Sequence, residues 1–80
     1  MDSTSEKIIK SLKMSGIDTE DITADFLSEN NIDSITFVEI IINIEEEFSI
    51  LIPEDHLLME NMNTISKIAD IVEELQEKLL

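Results

Sequence analysis

No cysteine occurs anywhere in the 80 residues, and glycine, proline and histidine occur once each. The missing thiols exclude disulfides, zinc–thiolate sites and a protein thiol nucleophile, so any thiol chemistry must be brought in by a cofactor. Basic residues are also scarce, at 5 against 19 acids. All five are lysines near the two ends (Lys7, Lys10, Lys13, Lys67 and Lys78), and from Met14 to Ser66 there are 13 acids and no base. A net charge of -14 argues against nucleic-acid binding by phosphate neutralisation and favours basic protein partners. The same imbalance is also what a merely solvated, soluble surface shows.

Long apolar runs are missing too. The longest uninterrupted aliphatic stretches, Ile40 to Ile42 and Ile50 to Ile52, are far too short to cross a bilayer, and the N-terminus is polar and acidic. The expectation is a cytoplasmic, soluble protein without membrane insertion. The lone histidine, His56, has no convincing nucleophile to pair with, which points to a surface residue and away from an enzyme. The acidity invites a calcium reading, but the segment starting at Asp18 puts Ile22 where an EF-hand loop needs an oxygen ligand and lacks that loop's glycine. No metal site is expected.

What the chain does have is 42% hydrophobic residues, too many for a disordered acidic tail and enough for one folded domain over residues 1–80. Ser3, Thr4, Ser5 and Glu6 have the spacing of a capping box, followed by Ile8, Ile9 and Leu12 on one side, and Gly16 ends this first helix. A long connection follows to about Asp33, punctuated by Ile22, Phe26, Leu27 and Ile32. Asp33 and Ser34 offer capping groups for a helix running to about Phe48, although the β-branched content of residues 35–44 leaves a strand as a competitor. Pro53, with Glu54 and Asp55 behind it, suits the first residue of a short third helix. Thr64 is placed to cap a last helix whose Ile65, Ile68, Ala69, Val72, Leu75 and Leu79 keep helical spacing. The expected fold is all-α: a small four-helix bundle, three main helices plus one short one, with a long first loop.

The helix from Ser34 has two apolar faces. At about 100° per residue Phe37, Ile40, Ile41, Ile44 and Phe48 share one sector, the stripe expected to face the core. Ile35, Val38 and Ile42 fall roughly 130° away among Glu39, Glu45 and Glu46. An exposed apolar strip with an acidic rim is the layout of a docking surface, unless the long connection covers it.

Three stretches carry a family resemblance: Asp33-Ser34-Ile35-Thr36-Phe37-Val38-Glu39-Ile40, then Ile44-Glu45-Glu46-Glu47-Phe48, then Ile52-Pro53. They resemble the acyl carrier proteins, where an Asp-Ser-Leu, Asp-Ser-Ile or Asp-Ser-Met motif opens the second helix and an acidic run with a closing Phe ends it. The resemblance implies that a phosphopantetheinyl transferase moves 4′-phosphopantetheine from coenzyme A onto Ser34, preceded by Asp33. It also implies that acyl or aminoacyl groups ride on the arm as thioesters, with no catalysis by the carrier itself. Ile35, Val38, Glu39, Ile42, Glu45 and Glu46 would then meet basic patches on the transferase and on acyl- or aminoacyl-transferring enzymes, with the carrier as a monomer.

The pattern departs from fatty-acid carriers in Thr36, where those usually have an acid, in Asn30-Asn31, which replaces a glycine-containing step, and in the long stretch from Pro53 to Thr64. Glu60-Asn61-Met62-Asn63-Thr64-Ile65 is instead similar to D-alanyl carriers and to stand-alone carriers of polyketide and nonribosomal peptide pathways. The expectation is one of those pathways, with fatty-acid synthesis as the alternative. From another class, an unmodified acidic adaptor, with Ser34 as a plain helix cap, would bind a basic partner through the same face.

Thirteen acids without an intervening base repel one another, so added salt should raise the melting temperature. A thermal scan from low to high ionic strength with no shift in Tm would contradict this.

Overall fold

The computed structural model describes residues 3–78, and among these it contains helices and turns but no strand. Helix α1 spans Ser3–Met14, α2 Phe26–Glu29, α3 Ser34–Phe48 and α4 Ile65–Lys78. Single 3-10 turns at Glu54–His56 and Met59–Asn61 bridge α3 to α4. The strand alternative for residues 35–44 is thereby removed. Leu79, expected to extend the last apolar stripe, lies outside the described residues.

Helix ends follow short-range chemistry. At the end of α1 the Ile17 N–H donates to the Leu12 carbonyl at 2.9 Å and the Gly16 N–H to the Lys13 carbonyl at 3.0 Å, the double bond pattern of a Schellman turn. That turn requires a left-handed residue, and Gly16 supplies it at φ 85°. Ile17 and Leu12, brought together by the turn, are both buried. At the other end, α1 already includes Ser3, so the capping-box spacing falls within the helix and Ser3 is not the residue preceding it. Thr64 caps α4 as its position suggests, its Oγ1 accepting from the Lys67 N–H at 3.1 Å.

Two expectations are corrected. The long first connection is interrupted by α2, whose start is capped by the Asp25 carboxylate accepting from the Ser28 N–H. Phe26 and Leu27 drive it, since both are buried and a helical turn lets adjacent side chains reach the core while its backbone groups stay bonded. The short helix expected from Pro53 is instead a pair of 3-10 turns, with Pro53 preceding the first turn. Too few apolar side chains lie between Pro53 and Thr64 to cover a full helical face, and only Met62 is fully buried there.

The core is formed where α1 packs against α4 and α3. Ile8 and Leu12 from α1, Ile40 and Ile44 from α3, and Ile65, Ile68 and Val72 from α4 are sealed from solvent, and Phe26 of α2 joins the same cluster. Each buried side chain of this size stabilises the fold by about 1.5–3 kcal/mol relative to exposure. Asn43 ties the middle of α3 to the turn after α1, its Nδ2 donating to Ser15 Oγ at 2.8 Å. Lys7 lies 5.9 Å from the ring centroid of Phe48 and shields the last residue of the α3 stripe. Among the described residues the one ion pair joins exposed Lys78 and Glu74 at 3.5 Å, so no ion pair relieves the acidic middle of the chain.

Because Met62 is fully buried in an otherwise irregular segment, Met62→Ala should cost about 2–5 kcal/mol. Urea unfolding would show a lower midpoint at unchanged slope, whereas a midpoint equal to that of the unsubstituted chain would show that the segment is not anchored by this side chain.

Candidate functional site

The site is set up by the turn leading into α3. The Ile32 N–H donates to the Leu27 carbonyl at 2.9 Å and the Asn31 N–H to the Ser28 carbonyl at 3.3 Å, a second Schellman turn, here built on Asn31 at φ 51°. Asparagine tolerates this left-handed conformation better than most non-glycine residues. Asn30 adds a side-chain bond, its Nδ2 donating to the Phe26 carbonyl at 2.8 Å. Reversing the chain here turns the half-buried Ile32 inward and delivers Asp33 to the head of α3.

Asp33 is extended, at φ -84° and ψ 174°, and its Oδ1 accepts from the Thr36 N–H at 2.8 Å. That backbone bond, helped by the Thr36 side chain, holds the Asp33 carboxyl below its ordinary value of 3.8. Ser34 is the first residue of α3, exposed, and its hydroxyl has no hydrogen-bond partner among the described residues. The first N–H groups of a helix lack intrahelical partners, and their dipole favours an anion, so a phosphodiester on Ser34 would lie in a suitable field. The fit to a phosphate-linked arm is therefore one of access, an unengaged nucleophilic oxygen and a matching local dipole.

Beside Ser34 runs a groove of about 450 Å³, with Phe37, Val38 and Ile41 of α3 on one side and Leu57, Leu58 and Met59 on the other. The far wall was not anticipated from the sequence, because its three residues do not follow a helical or alternating pattern. The segment that carries this wall is tied down just beyond it by Asn63. Its carbonyl accepts from the Phe26 N–H at 3.1 Å, its Nδ2 donates to Asp25 Oδ2 at 2.9 Å, and its Oδ1 accepts from Lys67 Nζ at 3.0 Å. Lys67 Nζ also donates to the Glu60 carbonyl. One asparagine thus joins the first connection, the 3-10 segment and α4.

The second apolar face of α3 is open to solvent. Ile35 is 72% exposed, Val38 53% and Ile42 46%, so the first connection does not cover them. Glu39 and Glu46 are exposed beside this strip. Glu45 differs from both, being half-buried with its Oε2 accepting from the Ile52 N–H at 2.8 Å. Past Glu45 a second groove of about 640 Å³ opens between Ile42, Ile50, Leu51 and Leu75, with Lys78 at its edge. His56, in the first 3-10 turn, is half-buried. Among the described residues no three His, Asp or Glu side chains converge as a metal site, and no helix is long and apolar enough to cross a membrane.

The model of the phosphopantetheine attachment site family matches residues 11–72. Acyl carrier protein 1, chloroplastic, of Spinacia oleracea is 43% identical over 58 residues, which make up 71% of this chain and 41% of that protein. The chain thus spans less than half the length of that relative. No solved structure matches the chain.

The lowered Asp33 carboxyl contributes stability that is present above its ordinary value of 3.8 and is lost as pH falls through the depressed folded-state value. Asp21 and Asp25 are lowered for the same reason, chiefly by the N–H groups of Thr23 and Ser28 respectively, and act with the same sign. Asp33→Asn keeps a capping oxygen, so it should retain α3 at neutral pH while flattening the acid limb of a stability-against-pH curve. An unchanged acid limb in that variant would remove Asp33 from the explanation.

Proposed function

This chain belongs to the acyl carrier protein family, and we propose that Ser34 is where its 4′-phosphopantetheine arm is attached. The observation that carries this reading is the unengaged Ser34 hydroxyl at the exposed head of α3, fixed by the Asp33 cap and opening onto an apolar groove. When bound, the arm supplies the thiol that the cysteine-free chain lacks, and acyl groups are esterified to it. Everything else falls to the chain's own residues: Asp33 orients the helix start, α3 holds Ser34 out of the core, and the groove walls border the tether point. Attachment forms an O–P bond at the Ser34 oxygen as the pyrophosphate bond of coenzyme A breaks, with adenosine 3′,5′-bisphosphate leaving and the Ser34 proton released, a reaction assigned to a separate transferase.

The partner surface follows from the same helix. Ile35, Val38 and Ile42 provide exposed apolar area, and Glu39 and Glu46 a charged rim suited to basic patches on the transferase and on acyl- or aminoacyl-transferring enzymes. Such a rim acts mainly on encounter rate and is screened by salt. The carrier is read as a monomeric, non-catalytic domain over residues 1–80, working in the cytoplasm. The Spinacia oleracea relative is chloroplastic by name.

For the cargo, the reading is an acyl or aminoacyl group of a polyketide, nonribosomal peptide or D-alanylation pathway, with fatty-acid synthesis as the alternative. Support comes from Thr36, which places a neutral side chain beside Ser34, and from the Pro53–Thr64 segment, which winds through two 3-10 turns and is stapled by Asn63. Loading the modified protein with a panel of amino acids and acyl groups, using candidate activating enzymes, separates the two.

Incubation with coenzyme A and a broad-specificity phosphopantetheinyl transferase should add the mass of one phosphopantetheine, and Ser34→Ala should abolish the addition. An unchanged intact mass, under conditions that modify a control carrier, would favour an unmodified acidic adaptor with Ser34 as a helix cap.

A further inference from the structure

Three acids rim the outer face of α3, but the environment of Glu45 sets it apart. It is half-buried, and it answers three backbone donors of the turn that follows the helix. Its carbonyl accepts from the Ser49 N–H and, at 3.1 Å, from the Ile50 N–H. Its carboxylate reaches seven residues along the chain to the Ile52 N–H at 2.8 Å. Ser49 is held at φ 53°, a left-handed conformation that costs a non-glycine residue free energy and persists only where its surroundings enforce it.

The Ile52 donor needs such a partner. Residues 50–53 belong to no helix, Pro53 brings no N–H, and the Ile52 side chain is buried, so its amide has no ladder to join. A bond from an N–H to an ionised carboxylate is among the stronger ones available, and leaving the donor unmet costs more than the bond itself contributes. The position of Ile52 in turn determines where Pro53 launches the 3-10 segment, and that segment carries Leu57, Leu58 and Met59, the far wall of the groove beside Ser34. Ile42 and Glu45 line both this groove and the one by Leu51 and Leu75, which places Glu45 on the saddle between them.

We propose that Glu45 is a positioning residue: its carboxylate clamps the turn at Ile52 and thereby sets the groove wall facing Ser34, acting through its hydrogen bond and not as a docking charge. The clamp stands on the geometry alone, while its consequence for modification rests on the reading of Ser34 as the attachment site. Glutamine keeps an acceptor oxygen and drops the charge, alanine drops both, and Glu39→Gln removes a charge from an exposed rim position. These three variants separate hydrogen bonding from electrostatic docking.

Two measurements on the full chain test the proposal: amide hydrogen exchange at Ile52, and kcat/KM for phosphopantetheine transfer from coenzyme A by a broad-specificity transferase. Glu45→Ala should speed exchange at Ile52 by about tenfold or more, the equivalent of one charge-assisted hydrogen bond, and lower kcat/KM. Glu45→Gln should rescue most of both losses, while Glu39→Gln should raise KM with Ile52 exchange untouched. Unchanged Ile52 exchange in Glu45→Ala overturns the clamp. A Glu45→Gln variant that regains Ile52 protection but transfers as slowly as Glu45→Ala restores the docking charge and overturns the proposed role. If the unsubstituted chain accepts no arm, the attachment reading fails together with the effect on modification, and Ile52 exchange still decides the clamp.

Discussion

The burial of a single stripe of α3 is the constraint on which the rest depends. Phe37, Ile40, Ile41, Ile44 and Phe48 all turn into the core, and a helix that commits that sector has no freedom to rotate. The commitment leaves Ile35, Val38 and Ile42 facing water, because the two sets lie on different sides of one rigid cylinder. It also fixes the direction in which Ser34 leaves the protein. An outward apolar strip is thus a direct consequence of how the inward one packs.

Around that helix the chain uses polar groups of short reach to solve problems of direction. Left-handed residues at Gly16, Asn31 and Ser49 reverse the chain after α1, α2 and α3. Each turn brings a buried isoleucine or a half-buried one (Ile17, Ile50 or Ile32) back toward the core immediately afterwards. Asp25, Asp33 and Thr64 meet the opposite need by taking up N–H groups at helix starts. For a chain carrying so much negative charge, these local bonds matter because ion pairing among the described residues contributes little.

Charge and packing are combined differently at each acid on α3. Glu39 and Glu46 are solvated and add to a field that a basic partner would meet first. Glu45, one residue before Glu46, is drawn into the backbone of the following turn. Acids that look alike in the sequence Glu45-Glu46-Glu47 therefore sit in different environments, Glu45 half-buried and bonded to the Ile52 N–H and Glu46 exposed, and mutating them as a group would remove a backbone hydrogen bond together with a solvated charge.

Much of this protein was determined by the sequence alone. The start of α3 at Ser34, its end at Phe48, the stop at Gly16, the cap at Thr64 and the division of α3 into two faces all depend on residues within about one helical turn of each other, so they are legible from spacing. Residues 33–53 also carried the family resemblance, again through local order. The tertiary structure decided what depends on partners beyond the next helical turn: the helical turn at Phe26 and Leu27, the 3-10 path after Pro53, the bonds of Asn63 to Asp25 and Phe26, and the seven-residue reach of Glu45 to Ile52. The physical reason is range. A cap or a stripe is specified by neighbours in sequence, but the wall of a groove exists only once segments dozens of residues apart compete for the same core and the same hydrogen-bond donors.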